Sequence, residues 1–119
     1  MQLRLSNRMI QGVTIVDCHG RILFGDETAL LREAVKTLLP ESRMIVLNLK
    51  DVTYVDSGGL GTLVGVFTSA HKLGCEVKLA CLTPRVGQLL QMTKLLTVFD
   101  VHENEEAAVR SFARTTAAT

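Results

Sequence analysis

Runs of alternating and continuous apolar residues divide the chain into short strands and helices. Leu3 and Leu5 alternate with polar neighbours, the pattern of a half-buried strand. Val13-Thr14-Ile15-Val16-Asp17-Cys18 is β-branched, mostly apolar and bracketed by Gly12 and Gly20, which predicts a second strand antiparallel to the first. Arg21-Ile22-Leu23-Phe24 reads as a short third strand, broken by Gly25-Asp26, where Asp26 is suited to cap the next helix. From Glu27 to Leu39 the residues Leu30, Leu31, Ala34, Val35, Leu38 and Leu39 recur at helical spacing, and Pro40 stops the helix. Met44 to Leu49 is apolar on both faces apart from Asn48, as in a central strand buried between helices.

The second half repeats the alternation. Leu60, Leu63, Val64 and Phe67 fall on one helical face, so a helix runs from about Ser57 to Leu73, with Gly74 just beyond it. Val77 to Leu82 is the next strand. Thr83-Pro84 then reads as N-cap and first helical position of a helix carrying Val86, Leu89, Leu90 and Leu96. Val98 to Val101 is a short strand. Asn104 caps a last helix with Glu105 and Glu106 in its first turn and Ala108, Val109 and Phe112 inside. An antiparallel start followed by βαβ units predicts an α/β domain: a mixed sheet of about four to five strands covered by about four helices. Residues 1–114 form one domain, and 115–119 are expected to fray.

Composition narrows the function. Of 119 residues, 13 are Lys or Arg and 12 Asp or Glu, a net charge of +1, so no basic face points to nucleic acid or to an acidic membrane surface. One Tyr and no Trp leave no base-stacking platform. No segment is long and apolar enough to cross a bilayer, and the first eight residues lack a signal-peptide core, so a cytoplasmic protein is expected. Cys18, Cys75 and Cys81 lack a C-x-x-C pair and read as free buried thiols, while a metal site joining them to His19 and His71 lacks recognised ligand spacing.

Asp56-Ser57-Gly58-Gly59-Leu60-Gly61 is the most informative stretch. It sits between a buried strand and a helix, which puts Ser57 at the helix mouth among glycines. Two readings stay open. Asp and Ser are favoured N-cap residues, so plain capping accounts for both. Alternatively the hydroxyl is displayed to another protein's active site, where an added phosphate meets helix N–H groups and the positive end of the dipole. A phosphate-cradling loop lacks both a Lys after the glycines and G-x-G-x-x-G spacing. A hydrolase lacks Gly-x-Ser-x-Gly, because Val55 stands where the first Gly belongs. His19, His71 and His102 are scattered, and Asp51 and Asp56 read as turn and cap residues before they read as a carboxylate pair. No catalytic set, cofactor site or metal site is expected, so the domain is acted upon rather than acting.

Taken together, the order of elements and this loop resemble the STAS domain, as in bacterial anti-sigma factor antagonists. The resemblance runs from about Gly12 to Ala113. It rests on the strand ending Cys18-His19-Gly20, the buried strand Ile45 to Leu49, the Thr83-Pro84 helix start and, above all, the Asp-Ser-x-Gly-Leu loop at 56–60. It implies a partner switch. The Ser matching Ser57 is phosphorylated by an anti-sigma factor that is also a GHKL-type kinase; the unphosphorylated antagonist binds that kinase and frees the sigma factor; a PP2C-type phosphatase restores the hydroxyl. The footprint would comprise Asp56 to Gly61, Val64, Asp26 and the Thr83-Pro84-Arg85 turn on a monomer or weak dimer. For Leu60 core packing, and for Arg85 a solvated charge, are equal alternatives. Two positions depart from the family. Many members carry a second hydroxyl after the phosphoacceptor, here replaced by Gly58, which is expected to loosen the loop. Many carry Leu-Asp after the third strand, where this chain has Leu23-Phe24-Gly25-Asp26. The rival implications are a non-switching STAS subunit of a lipid-transport ABC complex or stress-signalling assembly, and a nucleotide-binding STAS domain.

Overall fold

A computed structural model describes the backbone of residues 3–117 and the side chains of residues 3–113. The elements follow in the order β1 (Leu3–Ile10), β2 (Val13–Ile22), α1 (Asp26–Leu38), β3 (Met44–Val55), α2 (Ser57–Lys72), β4 (Glu76–Ala80), α3 (Pro84–Met92), β5 (Val101–His102) and α4 (Glu105–Ala117). The five strands form one sheet in sequence order. β1 and β2 are antiparallel around a two-residue turn at Gln11-Gly12; every later pair is parallel, joined by helical crossovers. The mixed sheet and four helices are those the alternation of apolar runs predicts. The expected fraying of 115–119 concerns residues 118 and 119, outside the described residues, and 115–117, which are helical in backbone.

Side-chain alternation along the strands builds two cores. Val16, Ile45, Leu47, Val77 and Leu79 face Leu31 and Val35 of α1, Leu63 and Val66 of α2, and Val86 and Leu90 of α3. Their strand neighbours Val13, Ile15, Val46 and Ala80 face Ala108, Val109 and Phe112 of α4. Arg8 on β1 fastens this last helix. Its guanidinium takes Asp17 of β2 at 2.8 and 3.1 Å and Glu105, the first residue of α4, at 3.1 Å through Nη1. Asn48 of β3 donates to the same Glu105 carboxylate at 3.1 Å.

The central strands are longer than their sequences suggest. Arg21–Phe24 is no separate strand. β2 continues through His19-Gly20 to Ile22, with register shifts between Asp17 and His19 and between Gly20 and Arg21. That extension gives β3 a partner beyond Leu49, in the pairs His19↔Asp51, Gly20↔Val52, Arg21↔Tyr54 and Ile22↔Val55. Val52 and Val55 are buried while Asp51, Thr53 and Tyr54 are exposed, so a paired strand replaces the expected turn. Asp51 is therefore a strand residue, its Oδ2 3.0 Å from His19 Nδ1.

Smaller corrections fall in the second half. β4 ends at Ala80, because Cys81 adopts a left-handed backbone with φ 61°. α3 ends at Met92, with Lys94 at φ 63° turning the chain, so Leu96 lies beyond it. Residues 96–98 are a turn and Phe99 is a buried bend, leaving only Val101–His102 as strand.

Lys78 on β4 is 3% exposed. Its ammonium donates to Ser111 Oγ at 2.6 Å, lies 3.0 Å from Asp100 Oδ2 and sits 4.3 Å from the Phe112 ring centroid. Asp100 is 51% exposed and also lies 2.9 Å from His102. A buried ion pair adds little over an apolar side chain of similar length, whereas removing one partner strands the other's charge. Lys78→Met is thus expected to stay within about 1 kcal/mol of the parent. Asp100→Ala is expected to lose about 1–2 kcal/mol, reduced from the fully buried case by solvent at Asp100. Urea unfolding of both variants checks the order, and a larger loss for Lys78→Met contradicts it.

Candidate functional site

The ends of β2 and β3 meet at the start of α2. Asp56 has an extended backbone, and its N–H donates to the Ile22 carbonyl at 3.3 Å. Its carboxylate accepts the Gly59 N–H at 2.7 Å, which makes Asp56 the N-cap. Both carboxylate oxygens also accept from the Phe24 N–H, at 3.1 and 3.0 Å. These bonds, Gly59 first and Phe24 second, hold the Asp56 carboxyl below the usual carboxylate range. Its stabilising effect is therefore present above the carboxyl's unfolded-state value and is lost as pH falls through the depressed folded value. With capping assigned to Asp56, Ser57 is the first residue of α2 and is exposed.

The next three glycines have different physical reasons. A methyl group at Gly59 would lie 2.1 Å from the Ile22 carbonyl oxygen, so only glycine lets the helix start so close to β2. One at Gly58 would lie 2.4 Å from the Phe24 Cβ. Gly58 is thus not a loosened position; it is half-buried under Phe24, whose side chain takes the space a second hydroxyl residue would need. A methyl at Gly61 would meet nothing within 4 Å.

Beside Ser57 a groove of about 360 Å³ runs between the start of α2 and α3. Tyr54, Leu60, Arg85, Leu89 and Met92 line it with Ser57. Leu60 and Val64 both pack against the main core, but only Leu60 reaches the groove. The Arg85 guanidinium lies 5.8 Å from the centroid of the Tyr54 ring. Thr83 caps α3, accepting the Val86 N–H at 3.3 Å, while its hydroxyl donates to the Val52 carbonyl at 3.1 Å; Pro84 is the first helical residue. Asp26 does not cap α1. Gly25 occupies the cap position with φ 117°, and Thr28 Oγ1 bonds both its N–H and its carbonyl. Asp26 is an exposed first-turn residue, two positions after Phe24 and not among the groove's lining.

Phe24, Tyr54 and Met92 are candidate site residues that the sequence did not single out. Each is a large exposed apolar side chain, and the one available signal was Phe24 standing where a Leu-Asp pair was expected. The other chemistry-bearing residues are engaged elsewhere. His19 faces Asp51, His71 stacks on Phe67 and His102 lies beside Asp100. Burial pushes the Cys18 thiol up to about 12. Among the described residues, no three His, Cys, Asp or Glu side chains group as metal ligands, and no helix is long and apolar enough to cross a membrane.

Fold and site together define a small α/β domain that displays one serine at a helix start beside an apolar groove. Residues 4–108 match the STAS domain family model, and the chain belongs to that family. It is 36% identical over 81 residues to the anti-sigma-B factor antagonist of Bacillus subtilis (strain 168), across 68% of this chain and 74% of that one. An anti-sigma factor antagonist from Mycobacterium paratuberculosis shares the fold, with a TM-score of 0.79 at 20% identity over 92% of each chain. So does the anti-sigma factor antagonist SpoIIAA. Its unphosphorylated form gives a TM-score of 0.74 at 18% identity over 92% of this chain and 97% of that one. Its phosphorylated form gives 0.68 at 17% over 91% and 99%.

Proposed function

We propose that this protein is an anti-sigma factor antagonist controlled by phosphorylation of Ser57. The carrying observation is the division of labour at the start of α2: Asp56 caps the helix, which leaves the Ser57 hydroxyl exposed for chemistry. The likeness to the anti-sigma-B factor antagonist gives that hydroxyl its context. In this reading the unphosphorylated form occupies an anti-sigma factor through the groove and frees the sigma factor. The anti-sigma factor is a GHKL-type kinase. Ser57 Oγ attacks the γ-phosphorus of ATP, the bond to ADP breaks, and the hydroxyl proton passes to a base of the kinase. A PP2C-type phosphatase transfers the phosphoryl group to water and restores the hydroxyl.

The physics favours lost binding over lost structure. A phosphate at the first helical position meets N–H groups and the positive end of the α2 dipole, so the domain tolerates it. SpoIIAA keeps a fold matching this one in both its forms, which supports the same view.

The deciding experiment is intact mass after incubation with ATP and lysate of the host, with Ser57→Ala alongside. One added phosphate, absent from the alanine form, is expected. No addition, in a lysate that phosphorylates other proteins, overturns the switch.

A further inference from the structure

One carboxylate ties two segments together at the site. Asp56 caps α2 through Gly59 at 2.7 Å, and through Phe24 at 3.0 and 3.1 Å it holds the loop between β2 and α1 against the helix start. Phe24 is 78% exposed, so burial does not fix it. What fixes it is the charge-assisted bond to its amide, together with the fit of its Cβ against Gly58. Phe24 is thus a large apolar group presented beside Ser57 and held there by a neighbouring negative charge.

We infer that phosphorylation of Ser57 releases Phe24 by disrupting the Asp56 clamp. The inference rests on Ser57 being the phosphorylated residue. A phosphate on Ser57 places nearly two negative charges one residue from the Asp56 carboxylate. It repels that carboxylate and competes for the helix-start N–H groups, including that of Gly59. As Asp56 yields, the Phe24 amide loses its acceptor and the ring loses its fixed position. The core does not share in this release, because the Asp56 N–H still meets the Ile22 carbonyl and the Ile22↔Val55 pair is untouched. Phosphate then acts on the surface around Ser57 twice, by adding charge next to the groove and by dispersing the apolar group held over Gly58.

The test needs no kinase. The full chain is made with phosphoserine installed at position 57 during synthesis, and amide hydrogen exchange is followed residue by residue by NMR. The Phe24 amide is expected to exchange about tenfold or more faster than in the unmodified chain, the scale set by losing a bond to a charged acceptor. The amides of Ile45 to Leu49 are expected to be unchanged. In Asp56→Asn the Phe24 amide is expected to exchange fast with or without the phosphate. Exchange at Phe24 that is unchanged or slower in the phosphoserine chain overturns the inference, as does protection lost throughout the core or slow exchange retained in Asp56→Asn. Absence of phosphate transfer in the host lysate would instead overturn the switch itself and leave this measurement standing.

Discussion

Alanine at Gly59 is expected to destabilise the domain by about 3 kcal/mol, at the upper end of overpacking costs. The reason is the identity of the colliding atom. The added methyl meets the Ile22 carbonyl oxygen at 2.1 Å, and that oxygen is backbone at the end of β2, bonded to the Asp56 N–H. It cannot retreat without giving up the Asp56 N–H bond, and α2 cannot retreat without pulling Asp56 off Phe24. For a chain of this size the loss corresponds to a melting temperature lower by roughly 10 °C. Gly61→Ala supplies the control. The same methyl there meets nothing within 4 Å, and replacing a helical glycine by alanine should raise stability by about 0.5–1 kcal/mol. Thermal unfolding of the two variants beside the parent checks both signs. Equal effects at the two positions would mean that the close approach of α2 to β2 is not what excludes side chains from the loop.

Phosphate on Ser57 is expected to weaken binding to the anti-sigma partner by more than about a hundredfold. The groove beside Ser57 is lined by Tyr54, Leu60, Leu89 and Met92, and Arg85 brings a cation to it. A partner that covers this surface must strip water from the new dianion, and burying a charge without a mate costs several kcal/mol. Even about 3 kcal/mol exceeds a hundredfold in affinity. Arg85 lines the same groove and is a candidate mate, but it lies against the Tyr54 ring. Calorimetric titration of the isolated partner with the unmodified and phosphorylated forms measures the ratio. Ser57→Ala should bind like the unmodified form and should not be released by ATP. A ratio below about tenfold would point to a partner that does not cover Ser57.

Much of this was legible in the chain because the decisive signals are local. Helical spacing from Leu30 to Leu39, the β-branched run at Val13, the Thr83-Pro84 start and Asn104 before two glutamates all act within a few residues, and each element starts within a residue of where they put it. The Asp56-Ser57 helix start was legible for the same reason. What local signals could not divide was the capping role, since Asp and Ser are almost equally good caps; the Gly59 N–H on the Asp56 carboxylate decides it, and the contact to Phe24, 32 residues away, gives that carboxylate a second partner. The extension of β2 and β3 was hidden because His19-Gly20 and Asp51 look like turn residues until each is seen opposite the other strand. The groove was hidden because exposed apolar residues such as Met92, 77% exposed, carry no periodic signature.

The Arg8 tie has a bearing on how the protein comes into being. Val13, Ile15 and Val46 leave the ribosome well before α4, the helix that covers them. Until Glu105 reaches the Arg8 that Asp17 already holds, the nascent sheet shows one apolar face to the cell. Docking of α4 is then the closing event of synthesis, and a ribosome stalled before residue 105 would hold a sticky chain in need of a chaperone.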